Sequence, residues 1–471
     1  MATMESHQPV AGPPIIGQVG NRTYTRMCLA ALFFWLLWGD FCFTLMETVV
    51  PSIVTIRLND MQAPNWLIGL IVTSIPSGLT FFMNPVISVQ SDRYRSRWGR
   101  RIPFLAAATP FLAIFLVLLG YSEPIGKALH SSFLPMVSES TAIVIMISIF
   151  MVAFQFFNMF IVSTFYYLFN DVVPAAYLGR FMAMFRIVGT LAGSAYHYFL
   201  LGYANTHMEE IFLLAAVLYM TAFGLMCWKV KEPDYPPLEP LAKSGEVSLL
   251  ASVKGYFREC FGHRIFWYFI IANAFYGMSW PMGAYSPLLA KSVGVPLELY
   301  GTIISITGLV SAALFIPAGY LVDRIHPLRM MILSTILMFG GQILWMYFVV
   351  ADPSPEQSKI LYITFAIIAI PISAIYGAAE MPMYMRILSR ERYGQYCSAN
   401  AMFRSVVLMV SGVASGAFID LIANYTVNRD YAYRFVPLWV MTCYLGSFIF
   451  LMLLYREWKR LGGDTNYQPP A

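Results

Sequence analysis

The sequence predicts an all-α integral membrane protein with twelve transmembrane helices in two six-helix halves. Three observations carry this. Hydrophobic residues make up 58% of the 471-residue chain and charged residues only 12%, about half the roughly 25% charge that coats a water-soluble domain. Twelve apolar stretches reach the roughly 20 residues that a helix needs to cross the hydrocarbon layer. A polar segment rich in proline then follows the sixth stretch and divides the set six and six. What lies outside the spans is too short to form a soluble catalytic domain.

The N-terminal half is read as Met27–Val50, Trp66–Gln90, Ile102–Gly120, Thr141–Phe169, Phe181–Leu201 and Ile211–Trp228. The C-terminal half is read as Ile265–Ala290, Leu299–Val322, Leu328–Val350, Ile360–Met385, Ala399–Ala423 and Phe435–Tyr455. Basic residues gather at the ends of these spans: Arg22 and Arg26 before the first, five arginines from Arg93 to Arg101 after the second, and Arg456, Lys459 and Arg460 after the last. The corresponding organisation is a tail at 1–26, a six-helix bundle at 27–228, a linker at 229–264, a second bundle at 265–455 and a tail at 456–471. The linker carries Pro233, Pro236, Pro237 and Pro240.

The net charge of +5 is read as a topology signal, with no nucleic-acid partner expected. With the amino terminus cytoplasmic, 22 of the 30 Lys and Arg residues fall on the inner side and 6 on the outer, which by the positive-inside rule places both termini in the cytoplasm. The expected location is the plasma membrane or a bacterial inner membrane, as a multi-pass monomer surrounded by lipid. The first 26 residues lack the apolar core of a signal peptide. Cys28, Cys42, Cys227, Cys260, Cys397 and Cys443 are scattered without CxxC spacing, which argues against a disulfide framework or a zinc site. No cofactor and no metal are expected.

Three features recur in the same order in the two halves. Asp92-Arg93 and Asp323-Arg324 follow the second span of each half, Asp171 and Glu380 stand near the inner end of the fourth, and Ala-Met-Phe-Arg occurs at 183–186 and again at 401–404. Such parallel repetition is how many transporters build two halves around a central site. The sharpest local signal is the loop from Ser91 to Phe104, with five arginines, Asp92 and a glycine at Gly99 that permits a tight turn. This loop resembles the second-to-third-helix loop of the major facilitator superfamily. The string from Ser96 to Phe104 is most similar to the glycoside-pentoside-hexuronide:cation symporters and the related sucrose/proton symporters.

That resemblance implies a gate in which loop charges latch the two halves on the inner side. The residues it points to are Asp92, Arg93, Gly99, Arg100, Arg101, Asp171 and Arg180, with Asp323, Arg324 and Glu380 as the second copy. Charge pairs at helix ends can be made in one state and broken in another. It also points to Arg186 as a sugar contact, with its counterpart Arg404 leaving a structural reading open.

Ionisable groups within spans cost about 2.5 to 3.5 kcal/mol each at the helix centre, so they call for a reason. Asp40 and Glu47 lie seven residues apart, nearly two turns, and share a helical face with Thr44 between them. They are the expected coupling residues, Asp40 first. Gly189 and Gly193 give the fifth span a small-residue face for close packing, and Arg186 and His197 lie along the same stripe. Polar and aromatic groups that suit a neutral polyol include Asn158, Asn273 and Trp280; with Arg186 and His197 they form the expected substrate-binding set. In the resembling sodium symporters the second helix holds two acidic residues a turn apart, whereas this chain has Thr80 and Asn84 there. The expected coupling ion is therefore a proton, with sodium less favoured.

The function expected is secondary transport of a sugar or glycoside by alternating access, in proton symport. A carrier of a lysolipid or other amphiphile is the alternative. An integral-membrane enzyme or a receptor ranks lower: no HExxH or GxSxG pattern is present, and no Walker A motif that would serve an ATP-driven pump.

Overall fold

The computed structural model describes residues 15–132, 135–235, 262–389 and 393–469. Cys260, Pro236, Pro237, Pro240, Arg390 and Arg392 lie outside the described residues, as does most of the expected linker.

Ten helices among the described residues are long and apolar enough to cross a membrane. In the first half these are α1 (Arg26–Asp60), α2 (Asn65–Arg93), α3 (Ile102–Gly120), α4 (Glu139–Val172) and, after α5, α6 (Met208–Lys229). In the second they are α8 (Leu297–Ile325), α9 (Pro327–Val350), α10 (Pro355–Ile387), α11 (Tyr393–Ala423) and α12 (Arg429–Arg460). The two remaining spans fall outside those ten. α5 (Ala175–Phe199) carries Arg180, Arg186 and His197 along its length. α7 is a broken span: Arg264–Gly277 is helical, Trp280–Tyr285 is a 3-10 turn, and Ser286–Ser292 resumes the helix.

The break in α7 corrects the continuous span read from the sequence. Its cause is local: Pro281 and Pro287 withhold backbone donors, and the freed groups find other partners. Trp439 Nε1 donates to the Met278 carbonyl at 2.8 Å and Ser279 Oγ to that of Tyr276 at 2.7 Å. α2 is also irregular, with a π-helical stretch at Leu70–Ser74. α1 runs about ten residues beyond the apolar stretch read from the sequence, through Pro51 and as far as Asp60. Its polar end is held by an ion pair between Arg57 and Glu123, the latter on a short helix at Ser122–Ser132.

All hydrogen bonds between the two halves among the described residues fall at one end of the bundle or in its middle. Asp420 of α11 accepts from the Asn65 backbone N–H and side chain and from Trp66 N–H, at 2.8 to 2.9 Å. Tyr285 donates to the Asn65 carbonyl, and the Tyr433 hydroxyl lies within hydrogen-bond distance of the side-chain oxygens of both Asn59 and Asn65, its one proton serving either. Between these groups α2 and α11 meet backbone to backbone: a Cβ added at Gly69 would strike the Gly412 carbonyl, and one at Gly416 would strike the Asn65 carbonyl. α5 and α8 meet similarly, with Gly301 against the His197 carbonyl and Ser194 donating to the Ser305 carbonyl at 3.3 Å. We call this the Asn65 end.

At the opposite end, which carries the α2–α3 and α8–α9 loops, Val89, Ile187, Tyr320 and Met402 are exposed. No hydrogen bond joins the halves there among the described residues. The bundle is therefore closed at the Asn65 end and splayed at the loop end. The loop end is further built up by a hairpin, β1 (Ile15–Val19) with β2 (Arg22–Thr25), in what the sequence suggested was a plain polar tail.

The glycine contacts predict a shift in conformation. Gly416→Val overpacks the α2–α11 contact, a change that costs about 1–3 kcal/mol and moves a two-state ratio roughly 5- to 150-fold. Labelling of a Ser305→Cys reporter by a membrane-impermeant maleimide, with the native cysteines replaced, should accelerate by at least the lower factor. An unchanged rate would show that this packing does not hold the end closed.

Candidate functional site

The first-half wall of the space between the halves is built on α1. Asp40 is fully buried; its Oδ1 accepts from Thr44 Oγ1 at 3.4 Å and its Oδ2 has no partner. Across from it runs the small-residue face of α5. Gly189 lies beside Asp40 and Thr44, and Gly193 beside Thr48, at ordinary van der Waals distance. Nearly two turns beyond Asp40, Glu47 Oε1 accepts from Asn158 Nδ2 of α4 at 2.6 Å. Glu47 is exposed although it lies within the α1 stripe that faces α4 and α5, so it borders an internal space. Two residues expected in different roles, Glu47 and Asn158, are thus one hydrogen-bonded pair. Arg186 is exposed and forms no ion pair among the described residues.

The second-half wall is aromatic. The Arg404 guanidinium lies 3.9 Å from the centre of the Trp280 ring, a cation–π contact. Behind it Tyr276 stacks on Tyr376 at 4.1 Å and on Tyr444 at 5.9 Å. Glu380 accepts from Tyr384 at 3.1 Å. Trp280, Tyr276 and Tyr444 open onto a cleft of about 660 Å³ that also includes Gln342 and Trp345. The break in α7 places Trp280 here, on the 3-10 turn. Asn273 is buried and donates to the Phe269 carbonyl at 3.0 Å, and His197 Nδ1 lies 2.7 Å from the Gly193 carbonyl. Both contacts reach one turn back along their own helices.

The position of the resembling symporters' acidic pair faces α4. Thr80 bonds the Pro76 carbonyl and Met159 sulfur, and Asn84 Oδ1 accepts from Tyr167 at 3.3 Å.

A second constellation forms at the loop end. Arg100 clasps Asp171 through Nε at 2.9 Å and Nη2 at 2.5 Å, Arg101 Nε adds a contact to Asp171 at 2.9 Å, and Arg101 also pairs with Asp92 and bonds Ser91. Tyr167 lies under the Arg101 guanidinium at 5.0 Å. Glu232, just past α6, is buried here, and its carboxylate accepts from the backbone N–H groups of Arg100, Arg101 and Ile102 at 2.7 to 2.9 Å. It therefore caps the first turn of α3, where free N–H groups and the helix dipole favour an anion. Gly99 is essential to the fit: its φ is +110°, and a Cβ there would collide with Glu232. Tyr235 donates to Glu232 at 2.9 Å and lies 4.4 Å from the Arg100 guanidinium. Burial and the negative charge of Glu232 hold its phenol above the ordinary tyrosine range. The hairpin closes over this knot, with Asn21 and Asp234 exchanging two hydrogen bonds at 2.5 and 2.9 Å.

The structure therefore unites Asp92, Gly99, Arg100, Arg101 and Asp171. It leaves Arg93 exposed, sets Arg180 only over the Tyr177 ring at 5.5 Å, and places Asp323 and Arg324 on the surface without an ion pair among the described residues. Glu380 lies with the aromatic wall. The second half closes its loop end by other means: His326 turns at φ +110° and its ring accepts from Leu328 N–H at 3.2 Å, while Arg329 pairs with Asp464 of the terminal tail at 2.5 Å. Glu232, Tyr235 and Asp464 were not read from the sequence. Their one signal was an acidic residue three positions before a tyrosine soon after the last span of each half.

The model of the Major Facilitator Superfamily matches residues 36–413, and the chain belongs to that family. Among solved structures, a bacterial homolog of the human lysosomal transporter Spinster, inward-facing and unoccupied, superposes with a TM-score of 0.67 at 15% identity, over 95% of this chain and 100% of the other. The nucleoside transporter NupG (D323A mutant) gives 0.67 at 14% identity over 90% and 100%. The D-xylose-proton symporter gives 0.63 at 14% over 90% and 97%. At these identities the likeness is one of fold. The sucrose transport protein SUT4 of Oryza sativa subsp. indica is 29% identical over 122 residues, 25% of this chain and 18% of the rice protein. The chain is thus a multi-pass membrane protein of the superfamily.

The knot predicts an order of stabilities. Asp171→Asn leaves the buried Arg101 guanidinium short of charge, a change worth about 3 kcal/mol. Glu232→Gln keeps one acceptor but removes the charge at the α3 terminus, worth about 1 kcal/mol. The melting midpoint of the purified protein should fall in both and further in Asp171→Asn. The reverse order would contradict the assignment.

Proposed function

We propose that this protein is a secondary active transporter that moves a sugar or glycoside by alternating access and draws on a proton gradient, with Asp40 as the proton carrier and Glu47 as the second acidic group. The observation that carries the proposal is the state of Asp40. It is a fully buried carboxylate bonded only to Thr44, with an unpartnered oxygen and no cationic partner among the described residues. An anion buried without compensation is costly, and a bound proton or small cation supplies what the protein does not. Neutral Thr80 and Asn84 on α2 favour the proton over sodium.

The two walls supply complementary recognition. Asn158 and Arg186 on one side offer planar hydrogen-bonding groups, and Trp280 with Arg404 on the other offers an aromatic face beside a cation. Hydroxyl-rich rings use both kinds of contact. The cargo leaves chemically unchanged. With both termini assigned to the cytoplasm by the arginine bias, the loop end faces inward and the conformation is inward-open. The protein is placed in the plasma membrane or a bacterial inner membrane as a monomer. The knot of Arg100, Arg101, Asp171 and Glu232 stiffens the inner end of the first half, so that it moves as a unit.

In proteoliposomes, Asp40→Asn should reduce accumulation driven by a pH gradient to the background level while sparing downhill exchange, because exchange need not cycle the proton. Uptake driven by a sodium gradient alone, or unimpaired accumulation in the variant, would remove Asp40 from this role. Binding of a neutral sugar should also change little between low and high salt, since screening acts on net charges. If a thermal-shift screen returned only lysolipids, the cargo would instead be the amphiphile.

A further inference from the structure

A cavity of about 620 Å³ lies at the loop end of the first half, between the hairpin, the α2–α3 loop and the segment after α6. It is separate from the space between the halves. Arg22 from the hairpin, Arg95 and Arg97 from the loop, and Lys231 from the segment after α6 line it, together with Trp98 and Trp228. The acidic groups in its wall are already engaged: Glu232 by the first turn of α3 and Asp234 by Asn21. Arg22, Arg97 and Lys231 form no ion pair among the described residues; Arg97 rests on the Trp98 ring at 5.4 Å.

Topology alone asks only that basic residues be present on this side of the membrane. It does not ask that three segments distant in sequence each bring a basic residue, Arg22, Arg97 and Lys231, to the wall of one concavity. Arginine forks and a lysine ammonium suit phosphate oxygens. Trp98 and Trp228 are exposed, at 55% and 65%; Trp228 stands at the end of α6, and such residues favour the membrane–water boundary.

We infer that this cavity binds a phosphate-bearing ligand, either the headgroup of an anionic phospholipid from the adjacent leaflet or a soluble phosphate compound. The inference does not depend on the transported cargo.

The test uses the full-length protein in neutral detergent, with dioctanoyl phosphatidic acid and inorganic pyrophosphate as probes and dioctanoyl glycerol as the phosphate-free control. Wild type should bind at least one of the phosphate probes and not the control. Arg22→Gln/Arg97→Gln/Lys231→Gln should weaken that binding by about tenfold or more, as expected when charge-assisted hydrogen bonds are lost. Phosphatidic acid responding alone identifies a lipid source, and pyrophosphate responding with the same variant sensitivity identifies a soluble one. Because the triple variant carries a folding risk, Lys231→Gln alone should weaken binding measurably and Lys231→Arg should restore it. Failure of both probes to bind wild type, or equal binding by wild type and Lys231→Gln, overturns the inference.

Discussion

The structure depends on the place where α2 and α11 touch backbone to backbone. A bilayer supplies no water to satisfy polar groups, so hydrophobic burial cannot distinguish the packing of two halves from the packing of either against lipid. Close van der Waals approach and shared hydrogen bonds must do so. Gly69, Gly412 and Gly416 permit the approach, and Asp420, Tyr285 and Tyr433 tie the joint by bonding to Asn65. Because the contact is made by backbone and not by adaptable side chains, it is either formed or lost. With the Asn65 end formed, the loop end is splayed; Glu47, nearer the closed end of the α1 stripe, is exposed, while Asp40, nearer the loop end, stays enclosed.

The two halves repeat a plan with different residues. In each, the segment after the last helix turns back to the loop between the second and third. Glu232 and Asp464 bring an acidic group there, and Tyr235 and Tyr467 follow each by three positions. Tyr235 bonds Glu232, whereas Tyr467 donates to the Ile387 carbonyl at the end of α10 at 2.8 Å. The loops themselves turn through the same φ of +110° at Gly99 and at His326. Glycine accommodates that angle without strain; an L side chain rarely adopts it, and at His326 the ring caps the next helix. Burial and the neighbouring Arg386 push the His326 pKa down to about 4, so the ring stays neutral and can accept that bond near neutral pH. The first half has invested this loop in a buried charge knot, the second in an exposed ion pair, and this asymmetry explains why Asp323 and Arg324 do not reproduce the arrangement of Asp92 and Arg101.

Most of the architecture was legible because apolar run length is nearly sufficient to define a span. Ile102–Gly120 was read with the observed bounds. The misses have physical causes. The extension of α1 to Asp60 is a helix whose end is polar because Arg57 pairs with Glu123 and Asn59 with Tyr433, partners remote in sequence. The break in α7 depends on Trp439, which satisfies the freed carbonyl from another helix. In the site, Asp40 and Glu47 stood out because charge in a span is costly, and their shared face follows from helical period. That Glu47 bonds Asn158, that Arg404 covers Trp280, and that Glu232 caps α3 are tertiary facts, for which helical period offers no signal.

The central claim is that the α2–α11 and α5–α8 contacts hold the Asn65 end closed and part when it opens, so that one end opens as the other closes. Paired spin labels read this directly: one pair at Arg93 and Arg324 spans the loop end, and a second at Gln62 and Tyr425 spans the Asn65 end. Across a change in pH or on addition of a bound sugar, the account predicts that the first distance shortens as the second lengthens, with the two populations changing in proportion. Distances that stay single and fixed at both ends under every condition, or that lengthen together, would contradict it.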